Sequence, residues 1–282
     1  MFNRVAIIGV GLIGGSFALA LRHGKLTQHI TGVDRTPASA HRALELGLVD
    51  AVLPLEEAVC NADLVYISIP VDSTLQVLQQ VLDLMPANAV VTDAGSTKSA
   101  ICSAVAYHPK RGRFVAAHPM WGTEYSGPDA AVPNAFTERA CVICERALSD
   151  ADALQQVELI YRQIGMHLVY MDATAHDMHA AYISHISHIT SFALANTVLE
   201  KEREEETIFE LAAGGFESTV RLAKSNAAMW VPIFMQNREH VLDVLNEHIS
   251  QLRKFKACLE KENEAYLNEL ILHANKIGRI LR

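Results

Sequence analysis

The first chemical signal is the run Gly9-Val10-Gly11-Leu12-Ile13-Gly14, which directly follows the apolar, β-branched stretch Val5 to Ile8 and opens a helical segment. In that context the first glycine makes a tight turn, the second lets a pyrophosphate approach the backbone, and the third packs helix on strand. The helix start, with Leu12 and Ile13, supplies amide donors and the positive end of a dipole. Asp34 stands twenty residues beyond Gly14, at the end of a second apolar run. A carboxylate there accepts hydrogen bonds from an adenosine ribose and repels a 2′-phosphate, which predicts NAD as cofactor. Arg35 and Thr36 beside it are able to hold a phosphate, so NADP stays open. Ser68 and Pro70, at the end of the run that begins at Leu64, are assigned to the same cofactor. A purely structural glycine turn is the competing reading.

A bound dinucleotide needs a hydride donor, and its chemistry belongs at the carboxyl ends of later strands. Two loops qualify: Asp93-Ala94-Gly95-Ser96-Thr97-Lys98, and Ala117-His118-Pro119-Met120-Trp121-Gly122-Thr123-Glu124. His118 precedes a proline in a loop that also holds Gly122 and Gly127, so its backbone is restricted and its ring is a candidate base. A structural histidine is the alternative. Ser96 reads equally as the N-cap of the helix that follows it.

These residues need a scaffold, and the chain supplies an alternating one. Short apolar runs at Arg4–Ile8, His29–Asp34, Leu64–Ile69, Ala89–Asp93, Phe114–Ala117, Ala140–Cys144 and His167–Met171 are separated by helical stretches, the pattern of a parallel sheet with helices on both faces. After Asp172 nearly everything reads as helix. We therefore expect an α/β dinucleotide-binding Rossmann domain over residues 1–172 and an all-helical domain over 173–282. The charge run Glu202 to Glu206 reads as a solvated face.

Composition narrows the class. The 282 residues are 50% hydrophobic and 20% charged, which excludes a disordered chain. The net charge of −8 argues against nucleic acid or an anionic membrane as partner and for a small molecule. Five cysteines without framework spacing, and no recognisable leader at the first residues, predict a reducing, cytoplasmic location. No apolar run is long enough to span a membrane. Cys141 and Cys144 fall on opposite faces of one strand and so do not form a redox pair. His176, His179, His185 and His188 share helical spacing but lack the further ligands of a zinc site, so no metal is expected.

Taken together, Gly9 to Ser16, the Asp93–Lys98 loop, the His118–Gly127 loop, Ser184-His185-Ile186-Ser187-His188, and Gly214-Gly215-Phe216 leading to Arg221 and Trp230 resemble the prephenate/arogenate dehydrogenase family of tyrosine biosynthesis. The resemblance spans nearly the whole chain. It implies NAD(P)-dependent oxidative decarboxylation, a helical dimerisation domain and homodimer, and a stand-alone form without a regulatory domain. It implies His118 and Ser96 as catalytic residues, with Ser96 orienting the imidazole or sharing the substrate hydroxyl. Arg221 is implied to hold a substrate carboxylate, with His188, Thr123, Glu124 and Trp230 as further substrate contacts. Trp230 also reads as a core or dimer-seam side chain, His185 as a packing or hydrogen-bonded partner, and Lys98 and Lys224 as the other cations at hand. Ser218 departs from the acid often found there in related sequences, which leaves the substrate's side chain, pyruvyl in prephenate or alanyl in arogenate, open. Two rivals remain: a β-hydroxyacid dehydrogenase with Lys224 as base, and a non-catalytic NAD-responsive binding protein.

Overall fold

The computed structural model describes residues 2–203 and 207–280. Among the described residues the apolar runs form one eight-stranded sheet. Its strands are β1 (Phe2–Ile8), β2 (Thr27–Val33), β3 (Ala51–Val52), β4 (Leu64–Ile67), β5 (Val90–Asp93), β6 (Phe114–Pro119), β7 (Ala140–Cys144) and β8 (His167–Met171), in the spatial order β3-β2-β1-β4-β5-β6-β7-β8. The helices α1 (Leu12–His23), α2 (Pro37–Glu45), α3 (Leu55–Cys60), α4 (Val71–Leu84) and α5 (Ser99–Ala104) link the first six strands, and α6 (Ala151–Gln163) links β7 to β8. Strands β4 and β5 are wholly buried, as continuous β-branched runs between two helical layers should be.

The first six strands are parallel, because each connection between them carries a crossover helix. Strand β7 corrects the expectation of a parallel sheet throughout: it runs antiparallel to β6. The segment between them carries only the short 3-10 turn Pro128–Ala130, so the chain simply folds back. The two-residue β3 was too short to register as an apolar run.

Strand order reverses between β1 and β4, and this opens a crevice at their carboxyl ends. The sheet's two faces build separate apolar layers. Val5, Ile7, Phe17, Tyr66 and Phe136 belong to one, and Ala6, Ile8, Val65, Ile67 and Leu78 to the other. Cys141 enters the first layer and Cys144 the second, so their thiols lie on opposite faces. Burial pushes both thiols upward.

Beyond β8 the chain is helical: α7 (Ala173–Ala180), a single wide turn over Ala181–His185, α8 (Ile186–Glu202), α9 (Gly214–Val220), α10 (Ala227–Gln236), α11 (Arg238–Glu260) and α12 (Glu264–Ala274). Asp172 caps α7 by accepting from Ala175 N at 2.7 Å. The wide turn keeps helical backbone on both sides, so α7 and α8 form one rod with a local bulge that carries Tyr182, Ser184 and His185. Within the charge run, Glu202 Oε2 accepts from Phe209 N at 3.2 Å, while Glu204, Glu205 and Glu206 lie outside the described residues.

Packing divides the chain into two compact units, one reaching to Asn237 and one beginning at Arg238. The change from strands to helices at 172 falls inside the first unit. There Ala173, Trp230 and Ile233 join the sheet's second apolar layer.

Candidate active site

Gly9 follows β1 with φ of +89°, and a Cβ there would meet Ser68 O at 2.6 Å, so this turn requires glycine. Gly14, in the first turn of α1, lies directly against Gly9 O and leaves no room for a side chain. Gly11 differs, since a Cβ built on it meets nothing nearer than Gly127 N at 3.9 Å. Open backbone between a forced turn and a helix start fits the pyrophosphate of a dinucleotide. Asp34 Oδ2 accepts from Val10 N at 3.2 Å, and its Oδ1 accepts from Thr36 N at 2.9 Å, which ties the acid to the glycine turn. Arg35 is exposed beside it. The Ser68 hydroxyl donates to Gly9 O at 2.8 Å, so it is spent on shaping the turn. Pro70 precedes α4 at the far side of the crevice.

The carboxyl ends of β5 and β6 are locked together by a buried ion pair. Lys98 and Asp93 are fully buried and bonded to each other. Lys98 Nζ also donates to Ala117 O at 2.7 Å, and Asp93 Oδ1 accepts from Ala117 N at 3.1 Å. This clamp holds the residue immediately before His118. It also corrects the reading of Lys98 as a spare substrate cation, because its charge and donors are already committed.

His118 Nδ1 lies 2.8 Å from His176 Nε2, and His176 Nδ1 lies 2.8 Å from Asp177 Oδ1. The Asp177 carboxylate in turn accepts from Lys98 N at 2.7 Å and Ser99 N at 2.9 Å. Asp177 therefore satisfies the start of α5, and the reading of Ser96 as that helix's cap is corrected. Ser96 sits half-buried in the same loop. His118 Nδ1 is held by His176 rather than by Ser96.

Burial, reinforced by His176, Lys98 and His185, pushes His118 well below its ordinary value. The ring is thus neutral near neutrality. Burial likewise lowers His176 and takes His185 down to about 4. Asp177 is held below the usual carboxylate range by His176 and the two backbone amides, against the opposing effect of its burial.

On the helical side, Arg221 lies in a short turn after α9, and its Nη1 donates to Glu124 Oε2 at 2.7 Å. Lys224 adds positive potential at the same carboxylate. Thr123 Oγ1 accepts from Tyr125 N at 3.3 Å in the loop that carries Glu124. His188 stacks on Trp230 with ring centroids 3.5 Å apart. The His188 Nδ1 contact to Ser184 O, 3.0 Å, puts the proton on Nδ1, because a carbonyl only accepts. Trp230 is buried and also meets His185 edge-on. His185 Nδ1 accepts from Asn237 Nδ2 at 3.1 Å.

The structure thus groups Gly9, Gly11, Gly14 and Asp34 at the crevice, His118 with His176 at the end of β6, and Arg221 with Glu124 on the helical side. Sequence reasoning missed the partnerships of His176, Asp177 and Asn237. Their signals are separate long-range contacts, from Asp177 to Lys98 across 79 residues, His176 to His118 across 58 and Asn237 to His185 across 52, which no local pattern carries.

Two family models match the chain: the nucleotide-binding domain of prephenate dehydrogenase over residues 17–170, and the dimerization domain of prephenate dehydrogenase over residues 172–273. A prephenate dehydrogenase of Bacillus subtilis is 32% identical over 93% of this chain and 72% of its own. A cyclohexadienyl dehydrogenase of Zymomonas mobilis is 29% identical over 100% of this chain and 97% of its own. The crystal structure of the Aquifex aeolicus prephenate dehydrogenase, solved with hydroxyphenyl propionate and NAD+, superposes with a TM-score of 0.89. It shares 30% identity over 99% of this chain and 98% of the other. The chain belongs to the prephenate dehydrogenase family.

Proposed function

We propose that the protein carries out the oxidative decarboxylation of prephenate to 4-hydroxyphenylpyruvate in tyrosine biosynthesis, with His118 as the base. The observation that carries this reading is the half-buried imidazole of His118 at the carboxyl end of β6, bonded to His176 and three strands along the sheet from the Gly9 turn. Bound NAD supplies the hydride acceptor. Gly11, Leu12, Ile13 and Gly14 receive its pyrophosphate, Asp34 its ribose, and Ser68 and Pro70 border the crevice where it lies.

The substrate's ring carbon that loses hydride also bears a hydroxyl. His118 Nε2 accepts that proton as the carbon–hydrogen bond breaks. Across the ring a carboxylate departs as carbon dioxide, and its electron pair completes the aromatic ring. The proton then returns from His118 to the phenolic oxygen, so no net proton is consumed. Ser96, in the loop beside this site, shares the hydroxyl. Arg221 holds a substrate carboxylate with its planar fork, and must exchange Glu124 for it. Thr123, His188 and Trp230 complete the wall.

Arogenate is the second reading, favoured by the similarity to a cyclohexadienyl dehydrogenase, and Ser218 leaves the substrate's side chain open between the two. Lys224, the base that a β-hydroxyacid dehydrogenase would need, instead adds to the positive potential at Glu124. We also propose a homodimer formed through the helical domain over 173–282, and a cytoplasmic location. The test is side-by-side initial rates on prephenate and arogenate with NAD and NADP, read at the reduced-nicotinamide absorbance. Prephenate with NAD is expected to give the highest kcat/KM, and a preference for arogenate would move the assignment to the second reading.

A further inference from the structure

We infer that His176, held by Asp177, is a positioning residue that fixes the reactive tautomer of His118 and takes up the proton His118 receives. The inference rests on the assignment of His118 as base.

Proton bookkeeping leads there from the geometry. Asp177 is buried, and its carboxylate oxygens already accept two backbone amides, from Lys98 and Ser99. As an ionised acceptor it can bond His176 Nδ1 at 2.8 Å only if that nitrogen carries a proton. Neutral His176 then presents a bare Nε2. His118 must therefore donate its Nδ1–H across the 2.8 Å contact, and its own Nε2 is left as the ring's lone-pair nitrogen. Among the described residues no hydrogen bond occupies that nitrogen. One carboxylate, two rings away, thus sets which face of His118 is basic.

The same chain offers a place for the proton. His118 faces His176, Lys98 and His185, all of which oppose a positive charge on it. His176 faces Lys98 but also the carboxylates of Asp177 and Asp93. When the substrate O–H proton reaches His118 Nε2, the Nδ1–H of His118 passes to His176 Nε2. One O–H and one N–H bond break while two N–H bonds form, and the charge comes to rest on His176 beside Asp177. Return of the proton to the phenolic oxygen reverses both transfers, and no electrons leave the pair of rings.

The test is nitrogen-15 NMR of the full-length protein labelled at histidine, near neutral pH, with signals assigned through His118→Asn and His176→Gln. The expected spectrum shows His118 and His176 both protonated at Nδ1 and bare at Nε2. A His118 ring protonated at Nε2 in the wild type overturns the inference. Kinetics give an independent readout. His176→Ala is expected to lower kcat roughly 10- to 100-fold through misplacement of the base, with KM for NAD within about twofold. His176→Gln should recover part of the loss, because its amide oxygen can accept the His118 Nδ1–H. Equal kcat for wild type and His176→Ala overturns the inference. If the alanine variant does not fold, the wild-type spectrum alone decides. Failure of the wild type to reduce NAD with prephenate would instead remove the substrate assignment, and the NMR result stands apart from that.

Discussion

Arg221 Nη1 and Glu124 Oε2 meet at 2.7 Å, bringing the helical half of the first unit onto the loop that follows β6. The arginine side chain is 51% exposed and the glutamate 12%, so the pair sits at an edge that a ligand can reach. A dianionic substrate needs a local cation in a chain whose net charge is −8. Arg221→Ala is therefore expected to raise KM for prephenate at least about tenfold, the effect of losing roughly 1.4 kcal/mol or more of binding, with a smaller change in kcat. Arg221→Lys should recover only part, because an ammonium lacks the fork. Glu124→Gln, which weakens the competitor for that fork, should leave KM unchanged or lower it. Steady-state kinetics check all three, and an Arg221→Ala KM within about twofold of wild type would assign the carboxylate to another cation.

The proposed role of Asp34 is to choose the cofactor. Its carboxylate bonds Val10 N and Thr36 N at the crevice, with Arg35 exposed alongside. Asp34→Ser removes the charge that repels a 2′-phosphate, and is expected to narrow the ratio of kcat/KM for NAD over NADP. A wild type that already prefers NADP would contradict this.

Stability should depend on pH through four histidines that lie wholly or partly inside the fold. Burial lowers His118, His176, His185 and His188 in the folded protein, whereas each titrates near about 6.5 when unfolded. A lowered folded value means that the unfolded chain binds the extra protons first. The stabilisation is therefore complete above about pH 6.5 and is lost as pH falls towards each folded value. His185, lowered to about 4, contributes on the order of 3 kcal/mol to that span. The carboxylate of Asp177, also lowered when folded, loses its contribution only further down, below its ordinary range. Thermal melts should show Tm falling between pH 6.5 and 5, and a flat Tm over that interval would show that these rings are not buried neutral.

What was legible in the sequence was local. The Gly9–Gly14 turn, Asp34 and the strands from β4 to β8 are set by residues close along the chain, and so is the placement of Cys141 and Cys144 on opposite faces. What escaped depends on which distant groups meet. The reversal of β7 follows from the missing crossover helix between it and β6, a feature of the connection rather than of the strand. Ser96 looked like a helix cap because it precedes α5, yet the amides of Lys98 and Ser99 are taken by Asp177 from α7. Lys98 looked like a cation for the substrate until its burial against Asp93 showed it as the clamp between β5 and β6. His176 was visible only as one member of a histidine spacing, and its partner 58 residues away gives it meaning.

The helical segments leave Leu252, Leu259, Ile271 and Leu272 exposed on α11 and α12. Apolar side chains at that density favour association with a second copy. Light scattering at low micromolar concentration is expected to give about twice the 30.9 kDa chain mass. A monomer would contradict the proposed homodimer.

Turnover of prephenate through His118 is tested most directly by following NAD reduction with prephenate in wild type and His118→Asn over a range of pH. The wild type should reduce NAD. Its kcat/KM should hold as pH falls through about 6.5, the ordinary histidine value, and decline only at lower pH, because the base stays neutral down to its depressed pKa. His118→Asn should lower kcat roughly 100- to 10,000-fold and leave NAD affinity close to normal. A wild type that binds NAD yet gives no reduced nicotinamide with prephenate, or a His118→Asn variant that keeps the wild-type rate and acid limb, would contradict the assignment.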